Sequence, residues 1–422
     1  MFDFAIALAK PSAIKYAYMW YIFIQRSHQS LQSQLTGWQS KRSVDELAMN
    51  IVSISASFIP ANTANSIQVL KATQALAGLG HRVTLLVPGT TATPWADLQA
   101  HYGLQHALEI IWIPENLAFK RYDFAIKAVQ RARQLGADLV YTWMLQAGVL
   151  ALWRGLPTIL ELHDRVTGRV GPWLFRQFCA SKTCQRVLTN TDALKRMLMA
   201  DFQLEPNAVD ILTAPNGVDL ERYQGLPAPV TARQALGLPD RFTAGYTGHF
   251  YAGRGMDLMF ELAKALPEIH FLWVGGEDDS VAYWKGRLTS TGLNNLTLTG
   301  FVPNEALPHY QAAADVLLMP YGRQIAGSGG GDSAKIASPM KMFEYMAAGR
   351  AIISSDLPVI HEVLNAEMAV FCPPDDLPAW VDALSTLRAQ PSACQALGEA
   401  ARSAVEGYTW TARAERALSG LI

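Results

Sequence analysis

The sequence has few cysteines and almost no net charge. Its 422 residues include only four cysteines, Cys179, Cys184, Cys372 and Cys394, and their spacing matches no paired metal-ligand motif. So sparse a set argues against a disulfide framework and favours a reduced, cytoplasmic setting. The formal net charge is -1, so we do not expect a nucleic-acid backbone as a partner.

Long apolar runs are also missing. No run reaches the ~20 residues that a membrane-spanning helix needs, and the nearest, residues 13–24, is interrupted by Lys15. No small-residue cleavage site follows this run, so a signal peptide is not expected. Two interpretations of residues 1–48 stay open. They form either an N-terminal extension before the first strand, or an interfacial helix edged by Lys15 and Arg26 that holds the protein peripherally at the inner face of the membrane.

Several catalytic and cofactor motifs are absent from the sequence. The loop at residues 58–65, between the first predicted strand and the first predicted helix, contains no glycine. The G-x-G-x-x-G fingerprint is therefore missing, which argues against a nicotinamide or flavin enzyme. No H-E-x-x-H, paired C-x-x-C or G-x-S-x-G motif occurs, so zinc hydrolases and serine hydrolases lack support.

What the sequence does contain is a repeated alternation of strand and helix patterns. Half of the residues are apolar, enough for two substantial cores in a chain of this length. A strand pattern at residues 49–55 is followed by an amphipathic helix at 66–79 and a strand at 81–87, and the alternation continues. This predicts an α/β fold in which two Rossmann-like domains, each with a parallel sheet, face each other across a cleft.

A proline-containing linker separates the two halves of the chain. It lies at residues 226–230, where the strand and helix pattern is interrupted. We therefore place the first domain at residues 49–225 and the second at 226–406. A final helix at 407–422 is predicted to return to the first domain.

The stretch from Ser338 to Gly349 is predicted to be a helix that begins beyond a strand end. Ser338 is a good N-cap, Pro339 suits the first helical position, and Gly349 suits the position after the last turn. Lys341 lies in the first turn, where the helix dipole disfavours a cation unless an anion is bound there. Glu344, one turn further, is placed to accept hydrogen bonds from sugar hydroxyls. The alternative is a surface helix with a Lys341–Glu344 salt bridge.

A glycine-rich loop at residues 245–255 joins a strand to a helix in the second domain. Gly248 allows a ligand to approach the backbone closely, and both His249 and Arg254 are placed to reach one diphosphate. Phe301 and Val302 follow another strand end, where backbone groups are placed to read a nucleobase edge. The alternative for Arg254 is a surface residue before a helix.

In the first domain, polar residues follow a strand at its carboxyl end. His163 is expected to face the cleft there, and its neighbour Asp164 keeps that edge hydrated. The alternative is that His163 only caps a loop.

Together these residues resemble the retaining GT-B glycosyltransferases of the large family 4 type, the glycosyl transferases group 1. The resemblance covers residues 49–422. Singly the motifs are weak, but their order and spacing make a specific set. The matching pieces are Asn65-Ser66, Leu162-His163-Asp164, Pro215-Asn-Gly-Val-Asp219, residues 248–255, Gly300-Phe-Val-Pro303, residues 338–349, Ile353-Ser-Ser-Asp-Leu-Pro358 and Tyr408-Thr-Trp410.

The resemblance implies a role for each candidate residue. It implies catalytic roles for three residues: Arg254 at the donor diphosphate, Glu344 at the ribose, and His163 near the donor sugar and the reacting carbon. It makes the first domain the acceptor domain and the second the nucleotide-sugar donor domain. The donor-binding set is Gly248, His249, Arg254, Phe301, Val302, Ser338, Lys341 and Glu344. Asn65 and Asp164 fall on the acceptor side.

Two positions depart from the family pattern. Many relatives have a glutamate eight residues before Glu344 that touches the donor sugar, and here that position is Ile336. A first phosphate-binding arginine is often found where this chain has His249. Contacts with the sugar must then come from elsewhere, such as the backbone near Ser338, and Lys341 would share the charge of the anion.

The resemblance implies transfer of a sugar from a nucleotide-diphosphate sugar to a polysaccharide, lipid-linked or other hydroxyl acceptor, with retention. No metal and no cofactor besides this donor substrate is expected. Two alternatives are a nucleotide-sugar-binding protein without catalysis and a GT-B-like nucleotide-sugar epimerase. The sequence identifies neither the donor base and sugar nor the acceptor.

Overall fold

The structure, a computed structural model, describes residues 48–119, 121–205, 207–325 and 334–421. The segment 1–48, for which two interpretations were open, lies almost entirely outside these ranges. Within them, no helix combines the length and apolar character needed to cross a bilayer.

Seven parallel strands form a first sheet in the order β3-β2-β1-β4-β5-β6-β7. We call the part of the chain built on this sheet the first domain. Its strands are β1 (Asn50–Ile54), β2 (Arg82–Pro88), β3 (Glu109–Ile113), β4 (Leu139–Thr142), β5 (Thr158–Leu162), β6 (Cys184–Thr189) and β7 (Ile211–Thr213). Its helices are α1 (Ala64–Gly78), α2 (Trp95–Tyr102), α3 (Tyr122–Gln134), α4 (Leu145–Trp153), α5 (Gly171–Cys179) and α6 (Asp192–Phe202).

Six parallel strands form a second sheet in the order β10-β9-β8-β11-β12-β13, and we call the part built on it the second domain. Its strands are β8 (Thr243–Thr247), β9 (His270–Val274), β10 (Leu296–Leu298), β11 (Val316–Met319), β12 (Ala351–Ser355) and β13 (Ala369–Cys372). Its helices are α7 (Pro229–Ala235), α8 (Met256–Ala265), α9 (Asp278–Thr291), α10 (Leu307–Ala312), α11 (Met340–Ala348), α12 (Leu377–Ala389) and α13 (Pro391–Ala404).

Both sheets are covered on their two faces, so their central strands are buried along nearly their whole length. The predicted fold class, α/β with two parallel-sheet domains, is confirmed. Strand order reverses between β1 and β4 in the first sheet and between β8 and β11 in the second. Ligands of open parallel sheets bind at the carboxyl ends of the strands beside such reversals, which places a site after β8 and β11.

A last helix, α14 (Trp410–Leu418), brings the chain back from the second domain onto the first. Thr409 caps it by accepting a hydrogen bond from the backbone N–H of Ala412. Its apolar side chains join those of β1 and α1 in one buried cluster, which includes Trp410, Leu418, Ile51 and Leu76. The end of the chain is therefore part of the first domain's core.

Direct contacts join the two domains. The Oγ1 of Thr191 in the first domain donates a 3.1 Å hydrogen bond to the carbonyl oxygen of Ile336 in the second. The Nδ2 of Asn216, in the connecting segment, donates a 2.7 Å hydrogen bond to the carbonyl oxygen of Ser338. These bonds hold the chain just before α11 against the first domain.

Local boundaries differ from the prediction at the start of α11. Ser338 was predicted to be the N-cap and Pro339 the first helical residue, and both assignments were wrong by one position: Pro339 is the N-cap, and it makes no side-chain capping bond. The reason is tertiary, because Ser338 is held by Asn216 through both its hydroxyl and its carbonyl oxygen. Gly349 follows the helix in the left-handed conformation, as predicted.

Candidate active site

Two basic side chains meet where β8 and β11 end. The Nζ of Lys341, in the first turn of α11, is buried and lies 3.6 Å from the centroid of the Tyr246 ring. It has no hydrogen-bond acceptor among the described residues. Burial lowers the pKa of Lys341 well below its usual value, the nearby charge of Arg254 lowers it further, and Glu344 opposes both. Burial of this amine without an acceptor disfavours its charged form, and an anion bound beside it would favour that form again.

Arg254 lies beside Lys341, on the loop between β8 and α8. Its guanidinium carbon is 5.2 Å from the centroid of the Tyr321 ring. Its Nε is buried, again without an acceptor among the described residues. The N-terminus of α11 has no side-chain cap, so the first N–H groups of that helix add to the same positive region.

Glycine is required in the loop that carries Arg254. Gly255 has a φ of 76°, and a Cβ there would lie 1.9 Å from the carbonyl oxygen of Pro320. Gly248 has a φ of 132°, and its Cβ would lie 3.0 Å from the Nζ of Lys341. The loop can therefore pack against the β11 end, and Lys341 against the loop, only because these side chains are absent.

His249 does not add a positive charge to this region. Its ring stacks on Tyr251, with the centroids 4.8 Å apart and the planes 6° from parallel. Burial lowers the pKa of His249, although a hydrogen bond with the backbone of Asn62 in the first domain opposes the shift. The basic groups left to meet an anion in this region are therefore Lys341 and Arg254.

Glu344 lies in a pocket between the domains, one turn after Lys341. Its Oε2 accepts a 3.3 Å hydrogen bond from Gln311. Burial raises the pKa of the Glu344 carboxyl against the opposing charge of Arg222. The pocket is lined by Ile67, Lys71, Gly217, Val218, Asp219, Arg222, Asn304, Met340, Glu344 and Trp410. Side chains from both domains and from the connecting segment thus surround this carboxylate.

The residues after β10 also face the first domain. Phe301 is half exposed, and its ring stacks on His101 of α2 with centroids 6.0 Å apart. The side chain of Val302 packs against a buried cluster that includes Leu272 and Val274. This packing leaves Val302 half-buried.

The candidate residues of the first domain lie at the ends of β5 and at the start of α1. The Nε2 of His163 is 2.5 Å from the Oε1 of Glu161, and a quarter of its side chain is exposed. Asp164 is exposed, and its Oδ1 accepts a hydrogen bond from the N–H of Arg165. Asn65 is exposed in the first turn of α1.

Ile336, at the position where relatives have a glutamate, does not line a polar site. Its side chain is 2% exposed and belongs to an apolar cluster of the first domain with Val149, Leu194 and Leu198. An apolar side chain here ties the two domains together by burial.

Sequence reasoning missed several buried charged residues, and two of them lie next to candidate site residues. Lys71 of α1 is 2% exposed, donates a 2.6 Å hydrogen bond to the carbonyl oxygen of Gly103 and pairs with Asp219. Arg413 of α14 is 4% exposed and pairs with Glu161. Arg413 shares a helix face with the buried Trp410, Ala414 and Ala417, which was an available signal, whereas α1 is buried on nearly all sides and gave none. Among the described residues, no group of three or more His, Cys, Asp or Glu side chains is arranged to hold a metal ion.

Comparisons with solved structures define the class of the fold. The chain superposes on Anabaena HepE in complex with UDP with a TM-score of 0.69 and 16% identity, covering 88% of this chain and 99% of HepE. It superposes on sucrose-phosphate synthase from Thermosynechococcus elongatus with a TM-score of 0.66 and 19% identity, covering 87% and 96%. The fold is the GT-B fold of glycosyltransferases.

Sequence comparisons identify the family. A model described as Glycosyltransferase Family 4 matches residues 66–222, and one described as Glycosyl transferases group 1 matches residues 241–390. Together they match more than half of the chain, so the protein belongs to the family 4-type, group 1 glycosyltransferases, as the motifs predicted.

Two curated relatives come from Streptomyces kanamyceticus. The chain is 27% identical over 197 residues to a 2-deoxystreptamine glucosyltransferase, covering 45% of this chain and 48% of that protein. It is 20% identical over 326 residues to an alpha-D-kanosaminyltransferase, covering 72% and 79%. The first match thus spans about half the length of that relative.

Proposed function

We propose that this glycosyltransferase moves a sugar from a nucleotide-diphosphate sugar to a hydroxyl group of a polysaccharide or lipid-linked acceptor, with retention. One observation carries the proposal: Lys341 and Arg254 are basic side chains with buried nitrogens that lack acceptors among the described residues, at an uncapped helix N-terminus. A diphosphate supplies the anion that such a site lacks. HepE, which shares the fold, is bound to UDP in one structure and to UDP-glucose in another.

The positive region supports catalysis through the charge that develops on the leaving group. As the glycosidic bond breaks, electrons move to the diphosphate and the sugar becomes oxocarbenium-like. A cation ~4 Å from a phosphate oxygen contributes about 4 kcal/mol at an effective dielectric constant of ~20. Two cations and a helix N-terminus therefore supply much of the ~8 kcal/mol that marks the lower range of enzymatic barrier reduction, if they bind the transition state more tightly than the substrate.

The remaining candidate residues take roles on either side of the diphosphate. Glu344 accepts hydrogen bonds from the ribose, and the backbone at Val302 contacts the base. His163 lies on the first-domain side, next to the donor sugar and the reacting carbon. Acceptors bind near Asn65 and Asp164. The chemistry proposed here uses no metal ion and no cofactor.

The experiment combines a donor screen with one variant and its control. Thermal-shift measurements with uridine, guanosine and adenosine diphosphate sugars identify the donor, because a ligand of the folded state raises the melting temperature. With that donor, Arg254→Ala should abolish transfer to an acceptor panel while Arg388→Ala, an exposed arginine of the same domain, keeps it. The anomeric configuration of the product, read by NMR, tests retention.

Each other outcome points to a different function. An isomerised donor of unchanged mass, formed without acceptor, would mark an epimerase. Tight donor binding with neither hydrolysis nor transfer would mark a binding protein. Full transfer by Arg254→Ala would remove the assignment of the diphosphate site.

A further inference from the structure

A buried carboxylate connects His163 to the end of the chain. Glu161, on β5, is 1% exposed. Its Oε1 accepts a 2.6 Å hydrogen bond from Gln68 and lies 2.5 Å from the Nε2 of His163. Its Oε2 accepts a hydrogen bond from the hydroxyl of Tyr141. The Nη2 of Arg413 is 2.6 Å from Oε1, so four side chains surround this carboxylate.

Glu161 is charged in this environment in spite of its burial. Burial alone raises the pKa of a carboxyl, but here Arg413 and His163 outweigh it, so the pKa of Glu161 lies well below its usual value. A carboxylate can only accept hydrogen bonds. The proton between Glu161 Oε1 and His163 Nε2 must therefore belong to Nε2, as in other histidines oriented by an acidic neighbour.

The arginine that balances this charge comes from α14. The Nη1 of Arg413 also donates a 3.2 Å hydrogen bond to the hydroxyl of Tyr141, so the guanidinium bridges two partners of the first domain. The side chain is held in place because α14 packs against α1 and β1 through a shared apolar cluster. A residue that follows the whole second domain in the chain thus completes the surroundings of a first-domain histidine.

We propose that Glu161 is a positioning residue for His163 and that Arg413 holds Glu161 in its charged, oriented state. Glu161 binds the Nε2–H of the imidazole and leaves Nδ1 as the nitrogen that accepts a hydrogen bond from a substrate hydroxyl. The acceptor or donor sugar then meets one fixed tautomer of His163 in one orientation. This inference rests on the proposed function, which places His163 next to the donor sugar.

A purely structural role is the competing explanation, in which the Glu161–Arg413 pair only anchors α14. The two explanations differ in what happens to His163. If Glu161 acts through His163, then losing both residues costs no more activity than losing His163 alone, because coupled residues are not additive. If the Glu161–Arg413 pair is only an anchor, the activity losses from removing Glu161 and from removing His163 add.

The experiment uses the full chain and four variants: Glu161→Gln, His163→Gln, the double variant, and Glu415→Gln as a control. Glu415 is an exposed carboxylate on α14. We expect Glu161→Gln to lower kcat at least about 10-fold, a part of the 10²–10⁴-fold that positioned acid–base groups contribute, with the donor KM nearly unchanged. The double variant should match His163→Gln, and the control should match the wild type.

A readout independent of activity comes from ¹⁵N-labelled histidine. The wild-type signal of His163, assigned by its absence in His163→Gln, should show the proton on Nε2, and Glu161→Gln should shift it toward a mixture of tautomers. A proton on Nδ1 in the wild type would overturn the proposal even if Glu161→Gln fails to fold. Additive losses of kcat in a wild type that does transfer sugar would also overturn it. A wild type that transfers no sugar but shows the Nε2 proton would refute the proposed function and leave the positioning intact.

Discussion

The carboxylate of Glu362 in the second domain accepts a 2.7 Å hydrogen bond from the backbone N–H of Ala193 in the first. Its other oxygen accepts an equally short bond from the N–H of Asp192. These are the first two residues of α6, where unpaired N–H groups and the helix dipole favour a negative charge. The contact therefore joins the two sides of the cleft by capping a helix of one domain with a side chain of the other.

Removing this interdomain cap should loosen the contact between the domains. We expect Glu362→Ala to lower stability by at least about 1 kcal/mol, because two backbone N–H groups lose their bonds to a carboxylate while the N-cap Thr191 keeps its own bond to Leu194. Hydrogen exchange should speed up in the first turn of α6 more than elsewhere. Glu367→Ala, an exposed glutamate five residues further on, is the matched control and should change neither quantity. Unchanged exchange at α6 in Glu362→Ala would show that the contact does not hold the domains.

Lys341 should couple nucleotide binding to proton uptake. Its pKa is lowered in the free protein, and a bound diphosphate raises it again by supplying an opposite charge. Above the lowered pKa, binding therefore takes up protons, and affinity falls as the pH rises further. Calorimetry of nucleoside diphosphate binding in buffers of different ionisation enthalpy measures this uptake. Lys341→Met should remove the pH dependence, and absence of uptake in the wild type would contradict the assignment.

The same Lys341→Met variant should separate stability from binding. It removes a buried amine that has no hydrogen-bond acceptor among the described residues, so the free protein should be at least as stable as the wild type. Nucleotide affinity should nevertheless fall by about 10-fold or more, since a charge-assisted contact is worth roughly 1.5–3 kcal/mol. Lys264→Met, at an exposed position, is the control. A large loss of stability in Lys341→Met would mean that the ammonium is satisfied in the free protein.

Substitution by alanine should change the folding stability in opposite directions at two glycines. Gly255→Ala should destabilise by at least about 2 kcal/mol, because φ is positive and the new Cβ would collide with the Pro320 carbonyl oxygen. Gly286 lies inside α9 with nothing within 4 Å of a Cβ, so Gly286→Ala should stabilise by up to about 1 kcal/mol. Thermal or urea unfolding measures both. Equal effects at the two positions would contradict the described packing of the β8–α8 loop.

The Glu161–Arg413 pair predicts a pH-dependent loss of stability. The pKa of Glu161 is lowered in the folded state, so the pair stabilises the fold above the usual carboxyl pKa of about 4.3 and loses this effect as the pH falls below it. Arg413→Met should therefore cost about 3 kcal/mol near neutral pH, because it leaves a buried carboxylate unpaired. The difference from the wild type should shrink in acid, where the carboxyl is protonated. Arg416→Met on the same helix is the control, and a pH-independent difference would contradict the pairing.

Much of the fold could be predicted because strands and helices are encoded by short stretches of sequence. The strands predicted at residues 49–55 and 81–87 match β1 and β2 to within one residue at each end, since buried parallel strands are continuous apolar runs between turns. Other elements were missed. α9 carries the spaced apolar residues Val281 and Trp284, but it is polar over most of its surface and its pattern is weak.

The candidate site was predictable only in part. Gly248 and Arg254 come from one loop and Lys341 from a separate helix, and the rule that ligands bind at strand ends was enough to expect them near one another. Their missing acceptors were not predictable, because an unpaired atom is a property of everything around it. The roles assigned to these residues stay predictions until the variants are measured.

By itself, the sequence determined the alternation of strands and helices, and with it the two parallel sheets and the edge at which polar and basic residues gather. Only the tertiary structure decided that Arg413 reaches Glu161, that Glu362 caps α6 and that Ile336 enters an apolar cluster of the first domain. The physical reason is the sequence distance over which each kind of interaction acts. Backbone preferences and apolar periodicity act over a few residues, whereas an ion pair or a cap between distant segments exists only where the packing of whole helices and domains brings its partners together.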